Sequence, residues 1–89
     1  MTATPPLLSI VIPVLDERDN IVGLVDEIAS VEGLPDYEIV CVDDGSRDDT
    51  AAILRAKLCT TPRLRVLAHA RRSGQSAAVR NGVKAARAA

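Results

Sequence analysis

The chain has 89 residues, 47% of them hydrophobic, with no Trp or Phe and a single Tyr, so it amounts to one small domain with a core of Val, Ile, Leu and Ala. Its net charge of −1 hides a split: all 12 acidic residues fall between Asp16 and Asp49, while every basic residue except Arg18 and Arg47 lies beyond Ala51. Those later basic residues are interleaved with apolar ones in periodic segments, which argues for a folded domain with a basic side and against a nucleic-acid arm.

Residues 1–6, MTATPP, read as an N-terminal tail with neither the charged start nor the apolar core of a secretion signal, and the domain is expected over residues 7–89. The run LSIVIPV predicts a first strand over residues 8–14, with Pro13 near its end because proline cannot donate to a ladder. Asp16 to Asn20 is a polar entry to a helix. Ile21, Leu24, Val25, Ile28 and Val31 then recur on one face, and Gly33, Pro35 and Asp36 end it.

A second strand is predicted over residues 37–42, YEIVCV, and a second helix over residues 49–58 with Ile53, Leu54 and Leu58 turned inward. Asp48, Asp49 and Thr50 are expected to cap that helix and complement its dipole, with Ser46 another candidate cap. A third strand spans residues 64–68, followed by the loop HARRSG. The last helix starts near Gln75, with Ala78, Val79, Gly82, Val83 and Ala86 on one face and Arg80, Lys84 and Arg87 on another. Cys41, inside a strand, reads as a small core residue, and neither it nor Cys59 has metal-type or redox-type spacing.

The order β-α-β-α-β-α makes this an α/β chain with a parallel sheet, a Rossmann-like half of a nucleotide-binding fold. Ligands of such sheets bind outside the carboxyl ends of the strands. Three strand ends would bring Asp16 and Glu17, Asp43 and Asp44, and the basic loop of His69, Arg71 and Arg72 to one edge. Carboxylates there can accept from base N–H groups or ribose hydroxyls, and arginines can hold phosphates. No G-x-G-x-x-G and no G-x-x-x-x-G-K-[ST] follows the first strand, so dinucleotide and P-loop grammar are both disfavoured.

Three ordered motifs, SIVIPVLDERDNI, YEIVCVDDGSRDDT and RRSGQSAAVRNGVKAA, together resemble the N-terminal part of family 2 glycosyltransferases of the GT-A, or nucleotide-diphospho-sugar transferase, fold. The branch they are most similar to is that of the dolichyl- and polyprenyl-phosphate sugar synthases. The resemblance implies inverting sugar transfer from a UDP- or GDP-linked donor to a polyprenyl-phosphate acceptor, with Mg²⁺ or Mn²⁺ at the diphosphate. It implies a cytoplasmic location or the cytoplasmic face of a membrane, with peripheral membrane association, and no nucleic acid as partner.

Carried onto this chain, the resemblance implies that Pro13, Leu15 and Glu17 flank the base and ribose. Val42 and Asp44 end the second strand, with Asp44 reading the base N–H and Asp43 shaping the turn. Arg71, Arg72 and Gly74 lie beside the nucleotide. Leu15 stands where the family often has an aromatic residue, which weakens stacking on a base, and Asp16 stands where Asn is usual. The family's Asp-x-Asp metal motif, the acceptor half and the catalytic base have no match in these 89 residues. The resemblance therefore implies a domain incomplete at its C-terminus and inactive alone, with no catalytic residue and no metal ligand within the chain.

Two other classes fit parts of the pattern. A non-catalytic α/β domain that binds a nucleotide or a protein partner would also show acidic and basic sides. A phosphoacceptor receiver would want an acidic pair after the first strand and an Asp after the third, where His69 stands instead, and a methyltransferase would want glycines after the first strand.

Overall fold

The structure, a computed structural model, describes residues 4–88. Residues 1–3 of the expected tail and Ala89 at the end of the expected domain lie outside the described residues. The elements run β1 (Leu8–Val14), α1 (Ile21–Ala29), β2 (Tyr37–Asp43), α2 (Thr50–Lys57), β3 (Leu64–Ala68) and α3 (Gln75–Ala85). The three strands form one parallel sheet in the order β1-β2-β3.

β2 is central, and all seven of its residues are buried, as its unbroken apolar run requires of a parallel strand covered on both faces. Side chains alternate across the sheet. Tyr37, Ile39 and Cys41 point to the face carrying α1 and α2, where they meet Val14, Ile21, Val25, Leu54 and Leu64. Val40 and Val42 point to the other face, against Ala78 of α3, with Val11 and Leu67 beside them. Burying such a side chain contributes about 1.5–3 kcal/mol before its entropy cost. Burial also pushes the Cys41 thiol up to about 11, which makes it an inert core group.

Helix edges depart from the periodic pattern for local reasons. α1 ends at Ala29 because the Ser30 N–H closes on Asp26 and Glu27 and Gly33 turns the chain at φ 81°, so Val31 falls outside the helix and is exposed. Leu24, on the edge of the stripe, is also largely exposed. α2 is shorter than its pattern, and Leu58, expected inward, lies past its end and is exposed. In α3 the sheet is met by the small residues Ala78 and Gly82, and Val79 and Val83 face outward.

Gly82 explains that choice of face. A Cβ there would fall inside contact distance of Val11 Cγ1 and lie 3.0 Å from Val42 Cγ2. Only a bare backbone lets α3 settle this close to β1 and β2.

The opposite end of the sheet is fixed by polar groups. Glu38 at the start of β2 accepts from the Ser9 hydroxyl at 2.5 Å, from Arg65 Nη1 at 2.9 Å and from the Arg87 backbone N–H at 2.6 Å. The segment after α3 is thereby clamped onto the sheet. Arg63 stacks over the Tyr37 ring at 4.4 Å and pairs with Asp36 at 2.7 Å.

Replacing Gly82 by Ala tests the close approach. Helix propensity alone would favour Ala by about 0.8–1.0 kcal/mol, but Val11 is β-branched and stiff, and overpacking costs about 1–3 kcal/mol. We expect a lower midpoint in urea or thermal melts for Gly82→Ala. A variant more stable than the parent would show that α3 does not rest on Val11 and Val42.

Candidate functional site

The three strands finish level. The Asp44 N–H donates to the Val14 carbonyl at 2.8 Å, and the His69 N–H donates to the Asp43 carbonyl at 2.8 Å, so the ladder continues one step beyond the strands. The three following loops then meet at one edge of the sheet.

Adjacent residues at a strand end point to opposite faces, and the two carboxylates of residues 43 and 44 part accordingly. Asp43, 2% exposed, goes to the α1/α2 side, where the Ser46 hydroxyl donates to its Oδ1. Asp44, 3% exposed, goes to the α3 side. Its Oδ1 lies 2.8 Å from His69 Nδ1 and accepts the Ser73 N–H at 2.8 Å, and its Oδ2 accepts the Gly74 N–H at 2.9 Å. Asp44 thus carries a structural duty that its position in the sequence does not reveal: it holds the loop before α3 and satisfies backbone donors at the helix entry. The His69 ring, followed by the Ser73 N–H, holds its carboxyl below the usual carboxylate range against the opposing effect of burial, and the Gly74 N–H adds to the lowering.

His69 is the link that the sequence underrated. Its Nε2 lies 3.0 Å from Asn81 Nδ2. With Asn81 donating, the ring keeps its proton on Nδ1 and donates to Asp44, in a relay that ties β2, the 69–74 loop and α3 together.

On the other side of the edge, the loops after β1 and β2 are stitched directly. Asp16, with a left-handed φ of 50°, a region Asp tolerates better than most residues, accepts the Arg47 N–H on Oδ1 at 2.8 Å and the Asp48 N–H at 3.4 Å. Its own N–H donates to Ser46 Oγ at 2.9 Å, and the Glu17 N–H donates to Thr50 Oγ1 at 3.0 Å. Ser46 is therefore a cross-loop bridge and not a helix cap. The capping of α2 falls to Asp48, whose Oδ1 accepts from the Thr50 N–H at 2.9 Å and from the Thr50 hydroxyl, while Asp49 at the N-cap makes no side-chain cap. The Thr50 hydroxyl leads in holding the Asp48 carboxyl low against desolvation.

Gly45 lets the second and third loops touch. At φ 76°, a Cβ there would lie 2.6 Å from Arg72 N and 2.7 Å from the Arg71 carbonyl carbon, both backbone atoms that cannot step aside.

Two adjoining cavities open between these loops. The larger, about 560 Å³, is lined by Leu15, Asp16, Gly45, Ser46, Arg47, Ala70, Arg71 and Arg72. The smaller, about 250 Å³, is lined by Pro13, Val14, Leu15, Glu17, Asp44, Arg72 and Gln75. Leu15 and Arg72 belong to both. Of the residues singled out from the sequence, Pro13, Leu15, Glu17, Asp44, Arg71 and Arg72 line this paired cleft. Val42 and Asp43, both buried, and Gly74, the N-cap of α3, line neither cavity.

The charge around the cleft is uneven. Among the described residues, no carboxylate lies within ion-pair distance of Arg47, Arg71 or Arg72. Of the acids that line the cleft, Asp16 and Asp44 accept backbone N–H groups and Glu17 accepts the Asn20 side-chain amide. No three His, Cys, Asp or Glu side chains gather into a metal-holding group among the described residues. With Asp43 committed to Ser46 and Asp44 to three donors, this pair does not fit a divalent-cation site.

A family model described as glycosyl transferase family 2 matches residues 9–89. The chain belongs to glycosyl transferase family 2. This family 2 chain is 34% identical over 86 residues, 94% of its length, to glycosyltransferase AglE of Haloferax volcanii. It is 43% identical over 79 residues, 84% of its length, to the undecaprenyl-phosphate 4-deoxy-4-formamido-L-arabinose transferase of Pseudomonas fluorescens. It spans 28% and 23% of those two proteins.

Among solved structures, the mannosyltransferase PcManGT of Pyrobaculum calidifontis, in complex with GDP-Man and Mn²⁺, overlays with a TM-score of 0.82 at 26% identity, covering 93% of this chain and 25% of that one. Three parallel strands alternating with helices form the Rossmann-like part of a GT-A fold in this family 2 chain, as the sequence implied.

The lowered carboxylates make the stability of this family 2 chain acid-sensitive. Burial raises the Glu38 carboxyl, but Ser9, the Arg87 N–H and Arg65 together bring it below its ordinary 4.5, and Asp44 and Asp48 sit below 3.8. A depressed folded-state value gives stabilisation that is full above the unfolded value and fades as pH falls through the folded one. We expect urea midpoints to be flat from about pH 7 to 5 and to fall below about pH 4. Equal midpoints at pH 7 and pH 3 would rule out this linkage.

Proposed function

We propose that this chain is the donor-binding part of an inverting glycosyltransferase that takes a UDP- or GDP-linked sugar and passes the sugar to a polyprenyl-phosphate acceptor. The observation that carries the reading is the convergence of three strand-end loops on a paired cleft, in a chain that overlays on a mannosyltransferase solved with GDP-Man and Mn²⁺. The acceptor class is supported by the relatives named for undecaprenyl-phosphate.

In this reading the base lies between Leu15 and Arg72, the two side chains common to both cavities, against an apolar surface on one side and a planar guanidinium on the other. Pro13 fixes the first loop, Glu17 accepts from ribose hydroxyls, and Arg71 contributes positive charge. Asp44 acts in two ways: it holds the 69–74 loop, and the remaining acceptor capacity of its Oδ2 reads a base N–H. Val42, Asp43 and Gly74 support the cleft without lining it. The chemical contribution of these residues is binding and orientation of the donor, which converts a bimolecular encounter into a positioned one.

A divalent cation, Mg²⁺ or Mn²⁺, would neutralise the departing nucleoside diphosphate. We assign its ligands, and the carboxylate that deprotonates the acceptor, to residues outside this chain. The 89 residues alone then bind nucleotide and transfer no sugar. Among the described residues no helix is long and apolar enough to cross a membrane. For the whole protein we propose the cytoplasm or the cytoplasmic face of a membrane, with the chain in peripheral contact.

Titrating the isotope-labelled chain with UDP and with GDP to millimolar concentration checks the reading. The expected result is amide shifts at Leu15, Glu17, Asp44, Arg72 and Gly74, with affinity reduced by about tenfold or more in Asp44→Ala. If neither nucleotide perturbs these amides, the donor-site reading fails and the non-catalytic domain takes its place.

A further inference from the structure

The larger cavity carries two charged side chains that the donor reading leaves unused. Asp16 accepts the Arg47 and Asp48 N–H groups on Oδ1 alone, so its Oδ2 has no hydrogen-bond partner among the described residues. Arg47, on the neighbouring loop, has no ion pair among the described residues. Both are exposed and both line the cavity, and the Asp16 bond to the Arg47 backbone fixes the spacing of the two loops. Nothing else in the wall offers a free side-chain acceptor: the Ser46 hydroxyl already donates to Asp43 and accepts from Asp16, and Gly45 and Ala70 have no polar side chain.

An acceptor-only group and a donor-only fork side by side discriminate among bases. Guanine presents two neighbouring donors, N1–H and the N2 amine, and two neighbouring acceptors, O6 and N7, the pair that an arginine reads bidentately. Uracil presents one imide N–H between two carbonyls, and its remaining edge is carbon. With that N–H read by Asp44, uracil would leave the guanidinium half-used and the Asp16 carboxylate without a donor. A base held between Leu15 and Arg72 would turn an edge into the larger cavity, which at about 560 Å³ has room for a purine.

We propose that Asp16 and Arg47 are the base-selecting pair of this site and that they favour guanine, Asp16 accepting from the N2 amine beside the N1–H left to Asp44, and Arg47 donating to the O6 and N7 side. The proposal rests on the donor-binding reading above and adds the base to it. Neither residue contributes to the Asp44 relay, so selection and loop positioning are separable.

The test compares GDP, IDP and UDP on the full 89-residue chain. IDP is GDP without the exocyclic amine. The unsubstituted chain should bind GDP about tenfold more tightly than UDP, with IDP between them. Arg47→Ala should lower GDP affinity by about tenfold and change UDP affinity less than twofold. Asp16→Asn retains an acceptor for the Arg47 N–H and suits the left-handed backbone, and it should bring GDP and IDP to equal affinity. Unchanged amide spectra elsewhere in each variant establish that the fold is kept. UDP bound as tightly as GDP, or a GDP preference that survives both substitutions, overturns the assignment of the pair while leaving the donor site standing. Binding of none of the three overturns both.

Discussion

The Asp44 carboxylate fixes the geometry of the strand-end edge. It is almost fully buried, a condition that costs free energy unless its oxygens are hydrogen-bonded. Those donors are the Ser73 and Gly74 amides and the His69 ring, all on the stretch between β3 and α3. Satisfying one buried charge therefore dictates the path of an entire loop. Loop position in turn sets Arg71 and Arg72 against Gly45, the one residue type that lets the two backbones approach so closely. Without that grip the paired cleft would have no third wall.

A second, independent stitch holds the other wall. Asp16, Ser46, Asp48 and Thr50 link the loops after β1 and β2 by backbone-to-side-chain bonds, Asp48 through the Arg18 N–H. The concentration of acids before Ala51 is thus in part a set of loop fasteners, each accepting N–H groups that have no partner in a strand or helix. The arginines of the cleft, Arg47, Arg71 and Arg72, are by contrast left without carboxylate partners among the described residues. The chain answers the question of where its backbone donors go with its acids and keeps these three guanidiniums for something else.

Most of the fold was legible because its signals are local and periodic. The three apolar runs, the turn residues between them and the alternation with helical stripes determine the parallel sheet, and the family motifs lie on the loops that the topology brings together. What was not legible depended on contacts between segments distant in sequence. Leu58 and Val83 carried the right period but fell where no sheet face was available. Gly82 gave no turn signal, since its role is to yield space to Val11 and Val42. The link from Asp44 to His69 joins residues 25 positions apart and no spacing rule predicts it. One rule could have anticipated part of the site: consecutive acids at a strand end must face opposite sides of the sheet, so Asp43 and Asp44 could never have acted as one pair.

Asp44 holds the loop before α3 by accepting the Ser73 and Gly74 amides. Amide hydrogen exchange in the parent chain and in Asp44→Ala tests this directly, because alanine offers neither N–H an acceptor. Ser73 and Gly74 should be protected in the parent and exchange near the unstructured rate in the variant, with Val40 and Val42 in the central strand still protected in both. Ser73 and Gly74 exchanging freely in the parent, or equally protected in both, would contradict it.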